Sequence, residues 1–89
     1  MKREIKGRVI RRLKILEGQI RGLRKMVEKE EYCIDILQQS MAAKEALSGV
    51  EGLILENHLS THVVEQMKSN QHSKAVSEIL KIYKLAKRK

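Results

Sequence analysis

The sequence predicts an all-α chain of three helices with a long second helix. Three observations carry that expectation. Proline is absent from the 89 residues and glycine occurs only five times. Leu, Ile, Val, Met, Ala, Glu, Lys and Arg dominate, and all but the β-branched pair are good helix formers. Apolar residues recur at helical spacing, with a single polar stretch, Lys68-Ser69-Asn70-Gln71-His72-Ser73, long enough to read as a loop. Without internal repeats, low-complexity tracts or linkers, residues 1–89 read as one domain. A core this small, with Tyr32 and Tyr83 as its only aromatic residues, favours self-association.

The first helix is assigned to residues 4–27. Ile5, Val9, Leu13, Leu16, Ile20, Leu23 and Val27 follow steps of three and four, and Ile10, Ile15 and Met26 widen the face beyond a two-stranded seam. Gly18 and Gly22, four apart, permit close helix approach. The acidic run Glu28, Glu30 and Glu31 suits the positive end of the next helix dipole, so the second helix is expected from about residue 30 to about 67. Cys33, Leu37 and Met41 line one stripe near its start, and Leu47, Val50, Ile54, His58 and His62 line one near its end. Gly49 and Gly52 are its weak point, since a hairpin there would fold the helix back; the apolar spacing runs through both and favours continuity. Ser73 or Asn70 is expected to cap the third helix, which carries Ala75, Val76, Ile79, Leu80 and Tyr83 on one face. The closing Leu85-Ala86-Lys87-Arg88-Lys89 puts positive charge on its last turn and then frays.

The net charge of +8 is concentrated at one end. Residues 1–25 hold ten Lys or Arg against Glu4 and Glu17, whereas residues 26–89 hold nine basic and nine acidic side chains. Such an imbalance marks a surface for a polyanion, with Arg8, Arg11, Arg12, Lys14 and Arg21 among its candidates. A solvated helix face explains less well why the opposite charges are missing only here. No signal region follows the first residues and no apolar run approaches the roughly 20 residues that span a bilayer. A soluble, cytoplasmic protein with no membrane partner is expected.

Cys33 is the only cysteine, so it is either a packed thiol or, in a reducing compartment, a ligand or reactive group. His58 and His62, at i and i+4, share a helix face and can present two imidazoles to one ion, and a thiolate adds a soft donor suited to Cu(I) or Zn(II). On an unbroken helix, Cys33 and His58 would stand roughly 37 Å apart at 1.5 Å per residue, too far to share an ion within one chain. Two antiparallel chains about a two-fold axis would bring Cys33 of one beside His58 and His62 of the other. Three such ligands suit trigonal Cu(I), whereas Zn(II) usually takes a fourth, such as water or Glu. Either piece alone is more often structural; beside a basic first helix, they point to a metal-regulated DNA-binding protein.

Arg12-Leu13-Lys14-Ile15-Leu16-Glu17-Gly18-Gln19-Ile20-Arg21-Gly22-Leu23, Tyr32-Cys33-Ile34-Asp35-Ile36-Leu37-Gln38-Gln39 and Asn57-His58-Leu59 together resemble the motifs of the copper-sensitive operon repressor group (CsoR/RcnR/FrmR). The resemblance covers nearly the whole chain. It implies a helical homodimer pairing into a homotetramer, which binds operator double-stranded DNA when metal-free and releases it when an effector binds across the dimer interface. In the copper branch the ligands are Cys, His and Cys; here the corresponding positions are Cys33, His58 and His62. The N-terminal histidine of nickel and cobalt sensors, the proline of formaldehyde sensors and the second thiol of persulfide sensors have no counterpart. The resemblance therefore implies Cu(I), with Zn(II) second. It also places Tyr32 and Glu78 where they would hydrogen-bond the ligand histidine and tie it to the third helix. A basic residue common in the second helix of the group is replaced by Gly49, with Lys44 as a compensating cation. No helix-turn-helix or aromatic platform is evident, so phosphate contacts and shape readout are expected.

Two other classes stay open at this stage. A thiol enzyme would pair Cys33 with His58 as base, but no substrate pocket or oxyanion donors are evident. A nonspecific basic DNA-binding or membrane-surface protein would use the same first helix and leave Cys33 and the histidines incidental.

Overall fold

The computed structural model describes Met1–Arg88 as four helices: α1 (Arg3–Glu28), α2 (Cys33–Ser60), α3 (His62–Lys68) and α4 (His72–Ala86). Among the described residues there is no strand, and no helix is long and apolar enough to cross a membrane. Lys89, the last of the basic residues expected at the C-terminus, lies outside the described residues. The chain forms two compact units, Met1–Glu56 and a second that begins at Asn57.

In the first unit, the apolar stripe of α1 is used in part: Val9 and Leu16 are buried, whereas Leu13, Ile20 and Val27 stay exposed. Val9 packs with Val50 and Leu53 of α2, and Ile5 lies against this cluster. Leu16 and Ala43 are also buried. Both Gly49 and Gly52 stay inside α2, with no glycine at positive φ, so no hairpin forms there. Because so few side chains make this core, each matters. Replacing Leu53 by Ala is expected to lower stability by about 2–5 kcal/mol, seen as an earlier urea midpoint at unchanged m-value.

The acidic run does not start α2. It closes α1: Glu30 adopts φ 53°, Glu31 N–H donates to the Met26 carbonyl at 3.0 Å, and Glu30 N–H donates to that of Val27 at 3.0 Å. These paired bonds satisfy the terminal carbonyls of α1 in the Schellman arrangement. Helix α2 then begins at Cys33, with the Tyr32 carbonyl accepting from Asp35 and Ile36.

The long second helix is present as α2 followed, after one residue, by α3. The division falls at Thr61 (φ −122°, ψ −76°). Thr61 Oγ1 donates to the Asn57 carbonyl at 2.6 Å and Ser60 Oγ donates to the same oxygen at 3.2 Å. Two hydroxyls on one carbonyl compete with the backbone ladder and account for the interruption at that point. Helix α3 ends in a second Schellman turn, with Asn70 at φ 58°, Gln71 N–H on the Gln66 carbonyl and Asn70 N–H on that of Met67. Neither Ser73 nor Asn70 caps α4; that position belongs to Gln71, which makes no side-chain capping bond. Asn70 instead supplies the left-handed residue, a role its short polar side chain suits. Helix α4 packs on α3 and buries Ala75 completely.

Candidate functional site

The second unit brings His58 and His62 together. His58 lies half-buried in the last turn of α2 and His62 is the exposed first residue of α3. Their Nδ1 atoms are 3.2 Å apart, and the rings meet edge-on with centroids 5.1 Å apart at 65°. The contact that i,i+4 spacing predicts is thus kept across the interruption at Thr61. Two nitrogen donors at 2.0–2.1 Å from one tetrahedral ion stand roughly 3.3–3.4 Å apart, so the pair fits a shared metal through Nδ1.

Around them runs a cleft whose other walls include Glu65, Gln66, Lys74 and Glu78. Gln66 Nε2 donates to Glu78 Oε1 at 3.0 Å, joining α3 to α4. A carboxylate only accepts, so this bond fixes which end of the amide faces Glu78. The other end, Gln66 Oε1, is buried with no hydrogen-bond partner. Sequence reasoning passed over Gln66; the available signal was its place one helical turn after His62. The third histidine is engaged elsewhere: His72 Nε2 lies 3.1 Å from the Met67 carbonyl, which makes it the donor of that bond.

Cys33 and Tyr32 belong to the first unit. Cys33 is a free, exposed thiol at the start of α2, and Tyr32 is 71% exposed. Of the predicted donor and relay residues, the structure gathers His58, His62 and Glu78 around one cleft. Among the described residues of a single chain, no group of three or more His, Cys, Asp or Glu side chains is placed to hold a metal.

The predicted cationic surface is available. Arg8, Arg11, Arg12, Lys14 and Arg21 on α1 and Lys44 on α2 are all exposed. Gly49 takes on a meaning its sequence position did not suggest. A Cβ there would stand 3.0 Å from Arg12 Nη1, so the glycine leaves room for the guanidinium to lie against α2. A cation therefore occupies this part of the surface although residue 49 itself carries none.

Comparison with known proteins completes the picture. Residues 5–84 match the model of the metal-sensitive transcriptional repressors. The chain is 40% identical over 79 residues to the copper-sensing transcriptional repressor CsoR of Bacillus subtilis, covering 89% of this chain and 78% of that protein. It is 44% identical over 55 residues to the copper-sensing transcriptional repressor RicR of Mycobacterium tuberculosis, covering 62% of this chain and 57%, under two thirds, of that one. Its structure superposes on the copper-sensing repressor CsoR with Cu(I) from Geobacillus thermodenitrificans with a TM-score of 0.91 at 34% identity, covering 99% of this chain and 92% of the other. A match that spans both helical units, in sequence and in backbone, makes this chain a member of the metal-sensitive transcriptional repressor family.

Proposed function

We propose that this protein represses transcription by binding operator DNA in its metal-free form and releases it on binding Cu(I). The observation that carries the reading is the Nδ1 pair of His58 and His62, two imidazole donors already spaced for one ion. Cys33 supplies the third donor from a second copy of the chain. Cys33 opens α2 and His58 lies in its last turn, so the thiolate of one protomer meets the partner subunit's His58 and His62 when the helices pair antiparallel. Bound there, Cu(I) supplies a soft centre that ties the two protomers together.

Self-association is supported by the apolar side chains a lone chain leaves in water. Leu13 and Ile20 of α1, Leu37 and Met41 of α2, and Leu80 and Tyr83 of α4 are all more than a third exposed. Apolar surface on this scale is characteristic of subunit interfaces. The assembly is a homodimer pairing into a homotetramer, residues 1–89 act as one metal-sensing, DNA-binding domain, and the protein works as a cytoplasmic regulator rather than an enzyme. A reducing compartment also keeps Cys33 reduced and available as a ligand.

Release follows from linkage. The protomer geometry that lets Cys33 converge with the partner's His58 and His62 presents the α1 cations poorly to the duplex, and DNA weakens metal binding by the same factor, typically about 1–3 kcal/mol. Tyr32 and Glu78 serve as hydrogen-bond partners that hold the ligand histidine and pass its position to α4.

A Zn(II)-responsive repressor is the second reading. It is favoured by the 3.2 Å Nδ1 separation, nearer a tetrahedral than a trigonal donor spacing, and by the carboxylates of Glu65 and Glu78 lining the same cleft. Anaerobic titration of the DNA complex with Cu(I) and with Zn(II), followed by fluorescence anisotropy, separates the two. Release at one equivalent of Cu(I) per chain supports the first reading, and release by Zn(II) alone replaces it with the second.

Contact with DNA runs through the exposed cations Arg8, Arg11, Arg12, Lys14, Arg21 and Lys44. Each phosphate neutralised contributes a slope of about −0.9 to the dependence of log affinity on log salt. Arg12→Ala is expected to weaken binding to operator and random DNA alike and to make that slope shallower by about one. An unchanged slope would remove Arg12 from the contact surface.

A further inference from the structure

Resting on the DNA surface just proposed, we infer that Gly49 is a seat that holds the Arg12 guanidinium ready for a DNA phosphate, so that α1 and α2 build one contact between them. Arg12 lies one turn after Val9 on α1, and Gly49 adjoins Val50 on α2, beside the core that joins the two helices. Glycine inside a helix is disfavoured relative to alanine, yet α2 carries two, Gly49 and Gly52, neither at positive φ. No backbone turn requires either of them. Space requires one. A Cβ built on Gly49 would stand 3.0 Å from Arg12 Nη1, tighter than nine in ten contacts of real Cβ atoms, whereas one built on Gly52 meets nothing within 4 Å.

The side chain resting there is free to take an anion. Arg12 is exposed, and no carboxylate among the described residues forms a salt bridge with it, although Glu45 lies one turn before Gly49 on α2. An arginine loose in water samples many rotamers and loses that freedom when it grips a phosphate. One already lying against a helix has less to lose, and its planar fork suits the phosphate oxygens. Lys44 is the one Lys or Arg within α2, so Arg12 gives that helix a second cation that its own sequence lacks. Gly49 carries no charge and acts through Arg12, as a positioning residue.

The test measures binding of the metal-free, full-length protein to a fluorescein-labelled duplex of random sequence by anisotropy, between roughly 0.05 and 0.2 M salt. Gly49→Ala should raise the urea midpoint, because alanine favours the helix, and yet weaken DNA binding about twofold as the guanidinium is pushed off its seat. Gly49→Leu fills the seat. It should weaken binding about fivefold at roughly 0.15 M salt, the contribution of one phosphate contact at a slope of about −0.9, and make the slope shallower toward that of Arg12→Ala. Gly52→Ala should also raise the urea midpoint but bind DNA as the unsubstituted protein does. In an Arg12→Ala background, Gly49→Leu should cause no further loss. A change confined to helix stability cannot produce that pattern. Unaltered affinity and slope in both Gly49 variants, an equal loss without Arg12, or an equal loss in Gly52→Ala overturns the role of Gly49 while leaving Arg12 on the DNA surface. An Arg12→Ala protein that binds as tightly as the unsubstituted one removes Arg12 from that surface, and this inference with it.

Discussion

Replacing Cys33 by Ala is expected to abolish metal-induced release while the metal-free protein keeps its DNA affinity within about twofold. The two halves of that result have separate causes. Cys33 is an exposed residue on the first turn of α2, away from the α1 cations in sequence, so removing its sulfur opens no cavity and removes no charge from the proposed DNA surface. Exposed substitutions of this kind usually change free energies by no more than about 0.5 kcal/mol, which is the origin of the twofold bound. The metal side is different. Without the thiolate, the donor set falls to the imidazoles of His58 and His62, which belong to one unit of one chain and cannot tie two protomers together. A coupling of about 1–3 kcal/mol, or roughly 5- to 150-fold in DNA affinity, should therefore collapse to a ratio near one. Anisotropy titrations of labelled operator DNA, with and without Cu(I) under anaerobic conditions, read both numbers. His72→Ala is the matched control, since His72 is engaged with the Met67 carbonyl and should release DNA normally. A Cys33→Ala protein that still lets go of DNA on adding Cu(I) means that the sulfur is not a ligand.

How far the sequence carried depends on how local each feature is. The span of α1 was legible to within a residue at each end, because its apolar steps are periodic and the buried Val9 and Leu16 lie on them. The continuity of α2 through Gly49 and Gly52 was legible for the same reason. The turn after α1 was not. Glu30 is a poor choice for the left-handed region on intrinsic grounds, and only the bonds from Glu30 and Glu31 back to Val27 and Met26 explain it. The interruption at Thr61 had a visible cause in the adjacent Ser60 and Thr61 hydroxyls, but their effect depends on both reaching the Asn57 carbonyl. At the site, the histidine pair was legible from i,i+4 spacing. Gln66 was not, because an uncharged side chain acquires its role only when the turn at Ser69-Asn70-Gln71 brings α4 back to place Glu78 beside it. Gly49 read as a missing cation until Arg12 was found lying over it.

The largest effect is expected from mixing two inactive proteins. Cys33→Ala alone lacks every thiolate, and a protein with both His58→Ala and His62→Ala lacks every imidazole of the pair, so neither should bind Cu(I) at the proposed site or respond to it on DNA. If the site is shared across a two-fold axis, a heterodimer of the two has one complete site, made of Cys33 from the histidine-less chain and the partner subunit's His58 and His62. Its other site has no ligand at all. Equal amounts, unfolded and refolded together, sort at random into roughly half heterodimers, so about a quarter of all sites should be restored. A site built within one chain predicts no restored sites at any mixing ratio, because each chain lacks part of its own set. Refolding is needed because the exposed apolar faces, once buried between subunits, are expected to exchange slowly. Counting tightly bound Cu(I) per chain against a competing chelator, before and after co-refolding, reads the difference between a quarter and nothing. The measurement does not depend on DNA, so it tests the shared site without assuming how binding is passed to the cations of α1. A count that stays at zero in a mixture shown by cross-linking to contain heterodimers would rule out the shared site, whichever metal the protein prefers.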